Sequence, residues 1–283
     1  MKKEHKEIFK KGSKTFFYSS LFFPKEIRTK VATLYAFVRV VDDFVDTVPQ
    51  KVSELHEFIA LYHKAQTEPL PSHAPYSVII NDFVALSQEE KFEPFWVDAF
   101  FASMQADLSK QTYDTLEETE KYIYGSAEVI GLMMSRMMGL SPKYDKEAQT
   151  LGYAFQYINF IRDIAEDELL GRTYLPKERY VRYNLTDLKK ATVLENKEAF
   201  SRFLREEIEY FELLLVQARP AFPVMPVWCR VPIRVAVLSY QYTGRLIKEH
   251  PIIVFENKVK PTKIRIIYFF IHVVCQEIIF KTK

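Results

Sequence analysis

Residues 34–48, LYAFVRVVDDFVDTV, set three aspartates and an arginine in a run that is otherwise aliphatic and aromatic. Val31, Leu34, Tyr35, Val38, Val41 and Val45 recur at three- and four-residue spacing, so the segment reads as a helix with a buried face. Ionised carboxylates withdrawn from water without partners are costly. Asp42 and Asp46, four residues apart, fall ~40° apart around a helix axis and ~6 Å along it. Arg39 lies one turn earlier on the same side. A lone pair with this spacing usually marks a solvated face, but Phe37, Val40 and Phe44 around it do not make one. Such a helix needs something to neutralise its acids.

The pattern returns in FQYINFIRDIAED, residues 155–167, where Asp163 and Asp167 are again four apart. Arg162 is beside them, Asn159 one turn earlier and Gln156 a further turn back. Two such faces opposed across an apolar cleft would repel and be poorly solvated. Hard divalent cations in the gap would make the arrangement stable. Mg2+ takes oxygen ligands, often a carboxylate or two together with substrate phosphate oxygens. The arginines would grip the same phosphates by charge-assisted hydrogen bonds. The paired motifs therefore point to Mg2+-dependent handling of a diphosphate. A di-iron centre in a helical bundle needs E-x-x-H motifs, and none of the 6 histidines has a glutamate three residues before it.

The rest of the chain fits one all-α domain over residues 1–283. Helical spacing covers about 25–48, 51–65, 76–88, 94–109, 117–139, 144–169 and 196–218. Residues 219–232, RPAFPVMPVWCRVP, break the pattern before a helix ending near Lys248, and a last helix starts at Pro261. With 7 glycines among 283 residues and no glycine-rich phosphate loop, a Rossmann fold is disfavoured. The 23 Phe and 17 Tyr suit a core or cavity lined by rings, and a net charge of +2 gives no field for nucleic acid. Cys229 and Cys275 have no metal or redox spacing and read as apolar fillers in a reducing cytosol. The N-terminus lacks the apolar stretch of a signal peptide. The C-terminal KIRIIYFFIHVVCQEIIFKTK is interrupted by polar residues, leaving no run of about 18 apolar residues to span a bilayer. It reads as a buried last helix, with contact at a membrane surface as the other use. A cytoplasmic location follows, and oligomeric state is left open.

These segments resemble the squalene/phytoene synthase family over nearly the whole chain. YAFVRVVDDFVD is similar to its first aspartate motif, GYAFQYINFIRDIAED with GRTYLP to its second, and SKTFFYSSLFFP to its N-terminal segment. YIYGSAEVIGLMMSRMMGL resembles the intervening helix, and Tyr240 matches a late tyrosine. The resemblance implies packed helices around a central hydrophobic cavity, the isoprenoid synthase fold, with several Mg2+ ions at its mouth. It implies head-to-head joining of two prenyl diphosphates through a cyclopropylcarbinyl diphosphate. Asp42, Asp46, Asp163 and Asp167 would ligate Mg2+, with Asn159 as a further donor. Arg39, Gln156 and Arg162 would contact diphosphate, and Ser13, Lys14, Thr15 and Tyr240 the second diphosphate. Ser13 and Thr15 serve equally well as helix-capping hydroxyls. Tyr124 with Met133, Met134, Met137 and Met138 would wall the carbocation, although core filling is the commoner use of methionine. Glu128 stands where the family usually has glycine. Lys258 stands where an arginine is often found, which keeps the charge without the bidentate fork.

Ser20 is small where a bulky ring would shorten the tunnel. GLMMSRMMGL resembles phytoene synthases more than squalene synthases, and with Ser20 that resemblance favours geranylgeranyl diphosphate as substrate and phytoene as product, without NADPH. Alternatives are farnesyl diphosphate condensation to squalene or dehydrosqualene, a prenyl diphosphate phosphatase, and a non-catalytic prenyl-lipid binding subunit. A hydrocarbon product makes peripheral membrane contact a reasonable partner.

Overall fold

The computed structural model describes residues 1–12 and 14–281, and the side chains of Lys14, Thr15, Ser19, Phe280 and Lys281 lie outside that description. In chain order the α-helices are α1 Lys3–Gly12, α2 Lys14–Ser20, α3 Lys25–Asp46, α4 Val52–Ala65, α5 Ser77–Glu89, α6 Pro94–Ala106, α7 Leu116–Ile123 and α8 Val129–Met137. They continue with α9 Asp145–Arg162, α10 Ile164–Leu169, α11 Lys177–Tyr180, α12 Lys190–Glu195, α13 Lys197–Ala218, α14 Val227–Glu249 and α15 Lys263–Lys281. No strand occurs among the described residues. No described helix is long and apolar enough to cross a membrane.

The long helix carrying the first aspartates has two unlike faces. Phe37, Val41, Phe44 and Val45 of α3 are buried. Phe37 stacks on Phe83 of α5 at 3.7 Å between ring centroids and tilts against Phe58 of α4 at 5.3 Å. On the opposite face Tyr35, Val38, Arg39 and Asp42 are half-buried and Asp46 is exposed. The aromatic wall thus anchors α3 from behind and leaves its acidic side at a cleft. One continuous buried cluster, running from Phe9 to Val259, joins these helices to α9, α13 and α14.

Three expected elements are built differently. The segment expected as one helix over 117–139 is interrupted by a π-turn, Tyr124–Glu128. A Cβ on Gly125 would lie 2.1 Å from the Ala99 carbonyl oxygen, so the turn touches the backbone of α6. Ser103 Oγ donates to the Tyr122 carbonyl at 2.9 Å, satisfying an acceptor near that turn. The helix expected over 144–169 ends at Arg162 and restarts at Ile164, with Asp163 between at φ −99° and ψ 14°. The proline-rich 219–232 stretch breaks helix only in part. A 3-10 turn covers Arg219–Val224, and α14 begins at Val227 with Pro232 inside it. The N-terminal residues, charged nearly throughout, form α1, which buries only His5 and Phe9.

Glu128 occupies the π-turn half-buried, its pKa raised by burial and lowered in part by Lys146. The close approach expected of a glycine there is supplied from α9: a Cβ on Gly152 would meet the Ala127 carbonyl oxygen at 2.6 Å and the Glu128 Cα at 3.2 Å. Met133, Met137 and Met138 are buried core residues and Met134 is half-buried. Gly125→Ala is expected to destabilise the protein by about 1–3 kcal/mol through forced separation of the π-turn and α6. Urea denaturation measures this, and an unchanged midpoint would contradict the contact.

Candidate active site

The two acidic segments face each other. Asp42 lies in the cleft with its pKa pushed up to about 8, first by desolvation and then by the neighbouring Asp46 charge, with Arg39 opposing. Asp167 of α10 is raised well above the ordinary carboxylate range by burial, then by Asp163 and by Asp46 across the cleft. Asp46 of the first motif therefore lies close enough to Asp167 of the second to act on it. Asp163 is clamped by Arg162, whose Nε donates to Oδ1 at 2.7 Å and whose Nη2 donates to Oδ2. Lys258 stands at the same rim, 2.5 Å from Glu166 and 3.7 Å from Asp163. Arg39 pairs with Asp43 one turn on.

Tyr240 of α14 closes the third side. It is buried, its ring lies 4.6 Å from that of Phe155 and 6.1 Å from that of Phe16, and its hydroxyl neighbours Arg162 and Asn159. Burial raises its pKa, so it remains a neutral O–H donor at neutral pH. The Asn159 amide oxygen is buried without a hydrogen-bond partner. Gln156 is half-buried on the same helix. Ser13 lies outside the described residues. Lys14 and Thr15 open α2, and their side chains lie outside the description. A Cβ on Gly12 would meet the Tyr35 hydroxyl oxygen at 2.5 Å and Arg39 at 3.0 Å, so the end of α1 is brought against the cleft face of α3. Tyr124 is half-buried at the start of the π-turn, with Glu128 as its electrostatic neighbour.

Sequence reasoning missed a buried network behind the first motif. Arg172 is 5% exposed; its Nη1 donates to Asp46 Oδ1 at 3.0 Å and to the Tyr174 hydroxyl at 3.2 Å, and its Nη2 donates to the Val45 carbonyl. The Tyr122 and Tyr174 hydroxyls donate to Asp107 at 2.7 and 2.8 Å. Asp107 is pushed up to about 6 by burial, with Arg172 and the two tyrosines acting against it. A cavity of about 90 Å³ opens beside this network between Val45, Asp107, Lys110 and Arg172. The only sequence signal was the GRTYLP run that contains Arg172 and Tyr174.

Among the described residues no three acidic, histidine or cysteine side chains are gathered to chelate one ion by themselves. The donors still fit a hard cation. Two carboxylates with strongly raised pKa values and an orphaned amide oxygen converge on the cleft, whereas each nearby cation already shares an acid. An ion here would draw on both walls and complete its shell from water or substrate.

The described elements are all helical, and the fold is that of the isoprenoid synthases. The sequence profile of the squalene/phytoene synthase family matches residues 9–265, and the chain belongs to that family. It is 31% identical over 248 residues to a 15-cis-phytoene synthase of Enterobacter agglomerans, covering 82% of this chain and 81% of the relative. A 15-cis-phytoene synthase of Paracoccus sp. is 27% identical over 253 residues, covering 86% and 81%. A crystal structure of a dehydrosqualene synthase with ligand superposes with TM-score 0.82 over 99% of this chain and 96% of the other, at 22% identity. The protein is an enzyme of the prenyltransferase class.

The raised Asp42 has a consequence for stability. An unfolded aspartate ionises near its ordinary value of 3.8, whereas burial and the Asp46 charge push folded Asp42 up to about 8. The folded state therefore binds the extra proton between those values, and this group's contribution falls as pH rises from about 4 to about 8. In chelator-treated protein, Asp42→Asn is expected to raise the thermal midpoint at pH 8 and to flatten its decline between pH 5 and 8. A variant that is less stable than the parent at pH 8 would contradict the assigned repulsion.

Proposed function

We propose that this chain condenses two geranylgeranyl diphosphates head to head, with Mg2+, to phytoene through prephytoene diphosphate, as a step of carotenoid biosynthesis. The supporting observation is the meeting of the Asp42–Asp46 and Asp163–Asp167 faces in a cleft whose third side is aromatic. The phytoene synthases among the relatives support the choice of product. Asp42, Asp46, Asp163 and Asp167, with the free oxygen of Asn159, are the residues that would hold Mg2+. Bound there, Mg2+ would supply Lewis-acid stabilisation of charge on the departing diphosphate.

The remaining steps belong to the chain's own side chains. Arg162 and Lys258 share Asp163 in the free protein and are the cations nearest to a diphosphate seated on the second motif. Arg39, backed by Asp43, serves the first motif, and Gln156 adds a neutral contact. Tyr240 donates its retained proton to a phosphate oxygen of the second substrate, beside the α2 segment that begins after Ser13. Positive charge placed where negative charge develops favours ionisation. The Phe16, Phe155 and Tyr240 rings then offer π-faces to the allylic cation and exclude water that would capture it. Tyr124, at the start of the π-turn, takes the role of a ring beside the carbocation and not of a metal ligand. Ser20, the last residue of α2, is small and buried, with its hydroxyl donating to the Phe17 carbonyl at 2.7 Å.

Purified protein with Mg2+ and geranylgeranyl diphosphate is expected to release diphosphate and give phytoene without NADPH. Squalene or dehydrosqualene from farnesyl diphosphate as the preferred reaction would overturn the chain-length assignment. A prenyl alcohol alone would indicate a phosphatase, and lipid binding without diphosphate release a non-catalytic subunit. Asp163→Asn is expected to lower turnover by about 100-fold or more while far-ultraviolet circular dichroism stays unchanged. A near-normal rate would remove Asp163 from the metal site.

A further inference from the structure

The last helix is apolar on two opposite faces. Ile266, Phe269 and Val273 of α15 are buried against Val231 and Val235 of α14. Turned away from that contact, Ile264, Ile267, Tyr268 and Ile271 are 81%, 54%, 58% and 56% exposed, and Cys275 continues the exposed stripe. At ~100° per residue these side chains share one arc of the helix opposite the buried one. A helix that is apolar on both sides is ordinarily covered on both sides. Here the outer stripe meets solvent.

The flanks of that stripe carry positive charge. Lys263 and Arg265 lie about 100° to either side of Ile264, and both are exposed. Lys263 Nζ sits 4.8 Å from the centroid of the Tyr18 ring, and the Arg265 guanidinium 4.8 Å from that of Tyr242, so rings on neighbouring helices hold each cation beside the stripe. Lys260 is exposed just before the helix. Residues 257–276 contain no Asp or Glu. Glu277 is buried and paired with Arg230 at 2.5 Å and Arg234 at 2.8 Å.

We propose that this outer face of α15 docks on an anionic lipid surface, with Ile264, Ile267, Tyr268 and Ile271 entering the headgroup–acyl boundary and Lys260, Lys263 and Arg265 meeting lipid phosphates. Apolar area combined with flanking cations is the pairing that gives interfacial binding its strength. A second copy of the chain is disfavoured as the occupant, because its matching face offers no carboxylate to these cations and would set like charges together. The helix lies along the surface, since no described helix can cross a bilayer. Phe22, just after α2, stacks on Phe270 of α15 at 3.8 Å between centroids, so the docked helix adjoins the segment that borders the cleft.

The test is co-sedimentation of the full chain with vesicles of phosphatidylcholine alone or mixed with phosphatidylglycerol, without substrate or metal, so that its outcome is independent of the proposed reaction. Binding is expected to the mixed vesicles, to weaken with added salt, and to fall by about tenfold or more in the double variant Ile267→Glu, Ile271→Glu. Lys263→Gln with Arg265→Gln is expected to abolish the preference for phosphatidylglycerol, and serves as the second arm should the glutamate variant lose helicity. Absence of binding by the parent, or equal binding by all variants, would overturn the proposal. So would a dimer in sedimentation velocity that the glutamate variant dissociates, since it would show a second copy on this face.

Discussion

Repulsion between carboxylates held in a poorly solvated cleft is the constraint on which the arrangement depends. Asp42 and Asp46 on α3 oppose Asp163 and Asp167 at the α9–α10 junction, and burial together with like charge raises the pKa values of Asp42 and Asp167. A fold selected for stability alone would not keep such a pair of faces. The protein offsets part of the repulsion with Arg39, Arg162, Arg172 and Lys258, each matched to an acid at the rim. What remains is a demand for positive charge of the kind that a bound divalent cation would satisfy.

The scaffold behind the acids is correspondingly rigid. The Phe37–Phe83 stack fixes α3 from its apolar side. On the other wall, buried Glu207 of α13 accepts from the Tyr157 hydroxyl of α9 and, at 2.7 Å, from Arg179 Nε. Glu207 is itself raised by burial, with Arg179 opposing. Both walls are therefore tied down away from the cleft, which prevents the repelling faces from relaxing apart.

The acidic faces were legible because helical geometry makes residues four apart neighbours, and a charged pair amid Phe and Val has few bland explanations. Arg172 was not, because its contact with Asp46 joins residues 126 apart in sequence. No local spacing encodes that pairing, nor the meeting of Tyr122 and Tyr174 on Asp107. The interruption at Asp163 is not legible in periodicity either, because the apolar pattern runs through it. The π-turn is of the same kind, since Gly125 reveals its role only once Ala99 is seen against it. Helix α1 is weakly marked in sequence, because two buried residues in a charged segment make too faint a stripe. The C-terminal segment reads in sequence as a buried helix, whereas α14 covers only one face of α15 and leaves Ile264, Ile267, Tyr268 and Ile271 exposed.

Anomalous diffraction from crystals grown with Mn2+ and inorganic pyrophosphate tests the central claim most directly. Metal peaks between the Asp42–Asp46 and Asp163–Asp167 faces, with pyrophosphate oxygens completing their coordination, are the expected result. Peaks confined to one wall or lying outside the cleft, with the two acidic faces unbridged, would contradict the account.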